Sequence, residues 1–134
     1  MPTVSGEFEV KMQPESMSAV AAGSGIGRMS LDKRYHGALD ATGTGEMLAY
    51  MDRAIMSGAY VAMELVQGRL DGRSGSFLLH HRGTMTRGAP GLTVAVVPDS
   101  GTGELAGLDG TLVIRIENGQ HYYDFDYAFS EAPR

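Results

Sequence analysis

The sequence predicts an all-β domain built from antiparallel hairpins, and three observations carry that prediction. Apolar and polar residues alternate with a period of two in several stretches. Glycine is abundant, at 19 of 134 residues, with no collagen-like period. An Asn118-Gly119 pair sits between two β-branched or aromatic runs. A period of two is the spacing at which successive strand side chains reach opposite faces. Scattered glycine marks tight turns, bulges and bent strands. Asn-Gly supplies the two positive φ angles of a two-residue type I′ hairpin.

The elements follow in order. Val4, Gly6, Phe8, Val10 and Met12 alternate with Ser5, Glu7, Glu9 and Lys11 and form the first strand. The Pro/Ser/Gly-rich stretch Gln13 to Gly27 is expected to be a long loop. Met29, Leu31, Lys33 and Tyr35 share one face of the second strand. From Glu46 to Met56 the pattern is ambiguous, because Met47, Leu48, Met51 and Ile55 also fit a helical face. Tyr60–Leu70 and Ser74–Thr84 are strands joined at Asp71-Gly72-Arg73. Leu92–Val97 is short, β-branched and stopped by Pro98. Leu105–Ile116 and His121–Phe129 complete the set. A two-residue Asn118-Gly119 loop places Ile116 opposite His121, Ile114 opposite Tyr123 and Leu112 opposite Phe125. Arg115, Tyr122, Asp124 and Asp126 then take the other face. With Thr42–Met51 read as a strand, eight strands on short links make a barrel or a sandwich.

Composition excludes several classes. The length suits one domain with its own core. A net charge of −5 and a pI near 5.2 argue against nucleic-acid partners and a basic membrane-binding patch. There is no cysteine, so disulfides and thiolate metal sites are ruled out. The first residues carry Glu7 and Glu9 and lack an apolar core segment, and no run is long enough to span a membrane as a helix. A cytoplasmic protein without cofactor is expected.

The short motifs point away from standard chemistries. Gly101-Thr102-Gly103-Glu104-Leu105-Ala106 matches a dinucleotide-binding pattern, which works only where the turn opens a helix. Gly107, Asp109 and Gly110 leave no room for that helix. There is no P-loop and no Gly-x-Ser-x-Gly elbow. His80 and His81 are adjacent in a strand, point to opposite faces and cannot share a metal ion; a metal site would need one of them together with Glu64 or His121 from elsewhere, and none is expected. Thr42-Gly43-Thr44-Gly45-Glu46-Met47 echoes Ser100-Gly101-Thr102-Gly103-Glu104-Leu105 and reads as two similar loop-to-strand entries.

Glu64 is the most informative residue. It shares a face with Ala62, Val66, Gly68 and Leu70. If Gly72-Arg73 forms a II′ turn, Glu64 lies directly opposite His81, which shares its face with Phe77 and Leu79. A carboxylate facing an imidazole on an apolar surface perturbs both, as functional sites do; the alternative is a salt-bridged pair at a barrel rim. Lys33, on the face of Met29, Leu31 and Tyr35, either lines a wet cavity or snorkels to an end. Tyr123, Phe125 and Tyr127 form an aromatic stripe suited to core or cavity wall.

Several of these segments resemble domain-of-unknown-function family 3224. They are Gly72-Arg73-Ser74-Gly75-Ser76-Phe77 with His81 and Gly83, and Pro98 through Leu108. Glu7-Phe8-Glu9-Val10, Gly45-Glu46-Met47 and Tyr123-Asp124-Phe125-Asp126-Tyr127 fit as well. The resemblance spans nearly the whole chain except Gln13–Gly27. It implies an eight-stranded antiparallel barrel like the allene oxide cyclase fold, a strand at Thr42–Met51 and a turn at Asp52–Gly58. It brings no catalytic residues, and His80 stands where the family often has glutamine.

The expectation is a barrel that binds a small apolar or conjugated ligand and, if it turns it over, isomerises or cyclises it. Glu64 is the expected proton acceptor or electrostatic stabiliser, His81 its orienting partner, and Lys33, Tyr123 and Phe77 the ligand contacts. The other reading is a non-catalytic barrel whose lumen is filled by Met29, Met47, Met63, Phe77, Tyr123 and Phe125. Such a barrel would act through its outer surface in assembly or homo-oligomer formation.

Overall fold

In the computed structural model, which describes residues 2–130, eight antiparallel strands close into a barrel in the order of the chain. They are β1 (Thr3–Glu15), β2 (Gly27–Tyr35), β3 (Leu39–Asp52), β4 (Ser57–Leu70), β5 (Arg73–Thr86), β6 (Ala89–Val96), β7 (Leu108–Glu117) and β8 (Gln120–Phe129). Closure comes from β1 pairing with β8, Val4 opposite Phe125 and Phe8 opposite His121. Closure of this kind pairs the edges of the sheet, continuously at β1–β8 and by a single pair, Ala95 with Thr111, between β6 and β7. No helix among the described residues is long and apolar enough to cross a membrane.

The ambiguous segment is strand. Met47 and Met51 pair with Ala62 and Gly58 of β4, because a helix there would leave both neighbours of β3 without partners. The loop after β1 is shorter than expected: β1 runs to Glu15, and only residues 16–26 connect it to β2. Leu105 is not in a strand. It belongs to a short 3-10 helix, Gly103–Leu105, and β7 begins at Leu108. The dinucleotide-like pattern therefore opens three residues of helix, too short to meet a pyrophosphate.

Hairpin chemistry sets the registers. Asn118 and Gly119 have φ of 52° and 79°, and Ile116, Ile114 and Leu112 pair with His121, Tyr123 and Phe125. Arg115 and Asp124 meet on the outer face at 2.6 Å. The β4–β5 turn differs from the expected II′ turn. Asp71 and Gly72 both have positive φ, 50° and 83°, so they are the central pair of a type I′ turn. Leu70 then pairs with Arg73, and Glu64 lies opposite Leu79 rather than His81. The change slides β5 by two residues, which preserves the face of every side chain.

The lumen is filled over one half and open over the other. Tyr35, Leu39, Leu70, Phe77, Tyr123 and Phe125 are fully buried towards the end that carries the β2–β3 and β4–β5 turns. Phe77 and Phe125 stack at 5.9 Å, and the Tyr123 hydroxyl donates to the His36 carbonyl at 2.8 Å. Leu105 is buried there as well. Met63, expected among the lumen-filling residues, instead faces outward: it neighbours Glu64 on β4, and adjacent strand residues take opposite faces.

Candidate functional site

The other half of the lumen holds a cavity of about 290 Å³ whose walls are Phe8, Val10 and Met12 of β1, Leu31 of β2, Met47 of β3 and Ile114 and Ile116 of β7. Tyr60, Leu92 and His121 complete the walls, and Lys33 and His81 supply its polar groups. An adjoining apolar groove shares Met47, Tyr60 and Leu92 with it and runs outward past Met51, Met85 and Pro90. The seam between β6 and β7 is thin, with Ala95–Thr111 as its paired residues. Leu92 and Ile114 therefore flank a gap in the wall.

Beneath the cavity lies a charged cluster centred on Glu64. One carboxylate oxygen, Oε1, accepts from the Lys33 ammonium at 3.0 Å and bonds His81 Nε2 at 2.9 Å. The other, Oε2, accepts from the Tyr35 hydroxyl. Glu64 is 0% exposed, Lys33 6% and His81 4%. No buried side-chain polar atom among the described residues lacks a partner, which is the condition for charge to be tolerated inside a barrel. The Lys33 ammonium also lies 5.2 Å from the centre of the Phe8 ring, an attractive cation–π contact.

Glu64 reaches these partners across a missing side chain. It stands on β4, whereas Lys33 and Tyr35 stand on β2, with β3 between. The β3 residue opposite Lys33 is Gly43. A Cβ on Gly43 would lie 2.1 Å from Glu64 Oε2, so glycine there is the space the carboxylate occupies. Gly83 performs a related service on β5. It pairs with Tyr60, and a Cβ would sit 2.3 Å from that ring. Tyr60 thus lies flat across β5 within 6.4 Å of the His81 ring.

The electrostatics follow from the packing. Burial by itself pushes the Glu64 pKa up. The His81 hydrogen bond, the Lys33 charge and the Tyr35 hydrogen bond outweigh it and hold the carboxyl below its ordinary value. Burial, and then the negative charge of Glu64, raise the Tyr35 hydroxyl well above its ordinary range. Tyr60 is raised for the same two reasons. Glu64 is therefore a carboxylate at neutral pH, and both tyrosines are neutral, Tyr35 donating to that carboxylate.

Of the residues singled out from sequence, Glu64, His81 and Lys33 come together. Glu64 and His81 do so along a diagonal, since the residue directly opposite Glu64 is Leu79 and His81 pairs with Ala62. Diagonal neighbours on one face remain within reach of long side chains. Phe77 and Tyr123 lie in the packed half of the lumen, away from the cavity walls. His80 faces outward beside Met63 and Arg82. Tyr35, Gly43 and Tyr60 belong to the site with no site role expected from the sequence, and His121, considered there only as a metal ligand, belongs to it as well. Tyr35 shares the face of Lys33, and Gly43 is a glycine inside a strand, a recognised sign of close approach. His121 lines the cavity and packs its ring 5.2 Å from Phe8.

Comparison with known proteins agrees with this architecture. None of the curated proteins matches the chain. A crystal structure of a protein of unknown function from the DUF3224 family of Shewanella oneidensis MR-1 superposes with a TM-score of 0.91. It is 51% identical over 98% of this chain and 99% of the other. The model of the family "Protein of unknown function (DUF3224)" matches residues 4–127. This chain, a closed eight-stranded barrel with a buried Lys33–Glu64–His81 cluster under an open half-lumen, is a member of the DUF3224 family.

Proposed function

We propose that the barrel binds one small, predominantly apolar molecule in the open half of its lumen, with a single polar group of that molecule directed at Lys33 and His81. The observation that carries this reading is the cavity of about 290 Å³ with apolar walls and a charged, fully hydrogen-bonded floor. Small-molecule sites have this composition: a concave apolar surface and a few convergent polar groups that set orientation. The adjoining groove past Met51 and Met85 favours an elongated ligand.

The chemistry best suited to such a floor is proton-assisted isomerisation or cyclisation, which needs a shaped, dry cavity and one or two proton-handling groups. The roles are distributed by exposure. Glu64 is enclosed and holds its neighbours in place. His81 and Lys33 line the cavity, so His81 is the group that would exchange a proton with the ligand, and Lys33 the one that would steady developing negative charge.

The test uses the protein as purified. Native mass spectrometry and an organic extract should show a bound apolar molecule, and the anionic dye anilinonaphthalene sulfonate should bind the emptied protein with one-to-one stoichiometry. Val10→Trp, which fills the cavity from the β1 wall, should abolish dye binding while the barrel keeps its circular dichroism spectrum. Dye binding that survives Val10→Trp unchanged would remove the lumen as the binding site.

A further inference from the structure

The outer wall of the barrel is divided between two kinds of surface. Over β1, β7 and β8 it carries charge, with Glu7, Glu9, Asp124 and Arg115 directed outward and the last two paired. Over the half of β3 and β4 next to the β3–β4 turn, the outward residues include Leu48, Tyr50, Val61 and Met63, exposed by 42, 51, 52 and 49%. Neighbouring positions along a barrel wall are ordinarily polar, and a contiguous apolar patch of this kind marks an interaction surface.

Charge sits at two corners of this patch. The pairing registers lay the side chains out in rows, Glu46–Met63–His80 and, beside it, Leu48–Val61–Arg82. Glu46 and Arg82 are therefore at diagonally opposite corners, with Val61 and Met63 between them. Glu46 is held by Arg28 at 2.6 and 2.9 Å. Arg82 has no acidic partner among the described residues.

We propose that two copies of this chain meet on this face, about a two-fold axis lying in the contact plane along the Leu48–His80 diagonal. Rotation about that line carries Glu46 of one copy onto Arg82 of the other, and Arg82 onto Glu46. The same patch thus complements itself, as a two-fold interface requires. Two symmetric ion pairs flank a centre of Val61, Met63 and Leu48, and each Glu46 is shared between its own Arg28 and the partner's Arg82. Apolar, methionine-containing centres with charge at the rim are the usual composition of such contacts. The proposal is independent of whatever the lumen binds.

The charges make the geometry testable by exchange. Sedimentation equilibrium on the full chain should show a dimer. Arg82→Glu and Glu46→Lys should each weaken it by about tenfold or more, since each homodimer then opposes like charges twice. Mixing the two variants should restore dimerisation, because the mixed dimer carries two matched pairs. Val61→Glu should give a folded monomer with the wild-type circular dichroism spectrum and a melting temperature that no longer depends on protein concentration. A wild-type chain that stays monomeric at about 100 µM would overturn the proposal. So would a dimer indifferent to Val61→Glu, or a mixture that gains nothing over its components. A monomer that floats with phosphatidylcholine vesicles would assign the face to a lipid surface and overturn it as well.

Discussion

Glu64→Gln is expected to lower the free energy of unfolding at neutral pH by about 3–5 kcal/mol, the cost of leaving one member of a buried ion pair without its partner. The carboxylate is fully enclosed and accepts from Lys33 and Tyr35 while bonding His81. An amide of the same shape offers Lys33 a dipole in place of a charge, and its NH2 turns a donor towards groups that are themselves donors. Urea denaturation measures the loss. Lys33→Met added to Glu64→Gln should recover much of it, because the buried ammonium that lost its counter-charge is then gone, and Tyr35 and His81 remain as partners for the amide. A loss below about 1 kcal/mol, the range of exposed pairs, would mean that water solvates the cluster.

The same residue governs the acid limb of stability. Its folded-state pKa lies below the ordinary value of 4.5. A group of this kind contributes stability that is complete above its unfolded pKa and is lost as pH falls through the folded one. The wild-type protein should therefore lose stability below about pH 4.5 more steeply than Glu64→Gln, and the two curves should converge in acid. Parallel curves would show that other carboxylates carry the acid transition.

Leu105→Ala is expected to cost about 2–5 kcal/mol, the range for truncating a buried leucine where the surroundings cannot close. Leu105 is 1% exposed and sits where β6 has already ended and β7 has not begun. The connecting loop takes the place of a strand beside the first half of β5. Its Thr102 amide donates to the Ser76 carbonyl at 2.8 Å, and the Leu78 amide donates to Ser100 Oγ at 3.0 Å. Those bonds hold the loop rigid, so a void beneath Leu105 has little means of collapsing. Val113→Ala, at a position 55% exposed on β7, should change stability by no more than about 0.5 kcal/mol. Thermal unfolding of the two variants side by side tests the claim, and equal effects would remove Leu105 from the packed core at the closed end of the barrel.

Local patterning assigns every strand but β3, their antiparallel pairing and one register in full. Alternation decides which face is buried, and Asn118-Gly119 admits essentially one turn, so the pairs from Ile116–His121 to Leu112–Phe125 follow from local chemistry alone. Alternation also placed Glu64, Lys33 and His81 on lumen faces, because parity survives an even slip of register. Tertiary structure decided the rest. Gly72 suits two turn types, and the choice of Asp71-Gly72 shifts His81 two residues along β4, to face Ala62 in place of Glu64, without changing its face. That β3 is a strand depended on β2 and β4 both needing a partner, which no local propensity records. The meeting of Glu64 with Lys33 and Tyr35 needed closure of the barrel in chain order and the absence of a side chain at Gly43 on the intervening strand. Contacts across an intervening strand are set by the vacancy that strand leaves. A vacancy of that kind is read from the packed molecule, because along the chain Gly43 is a glycine among several.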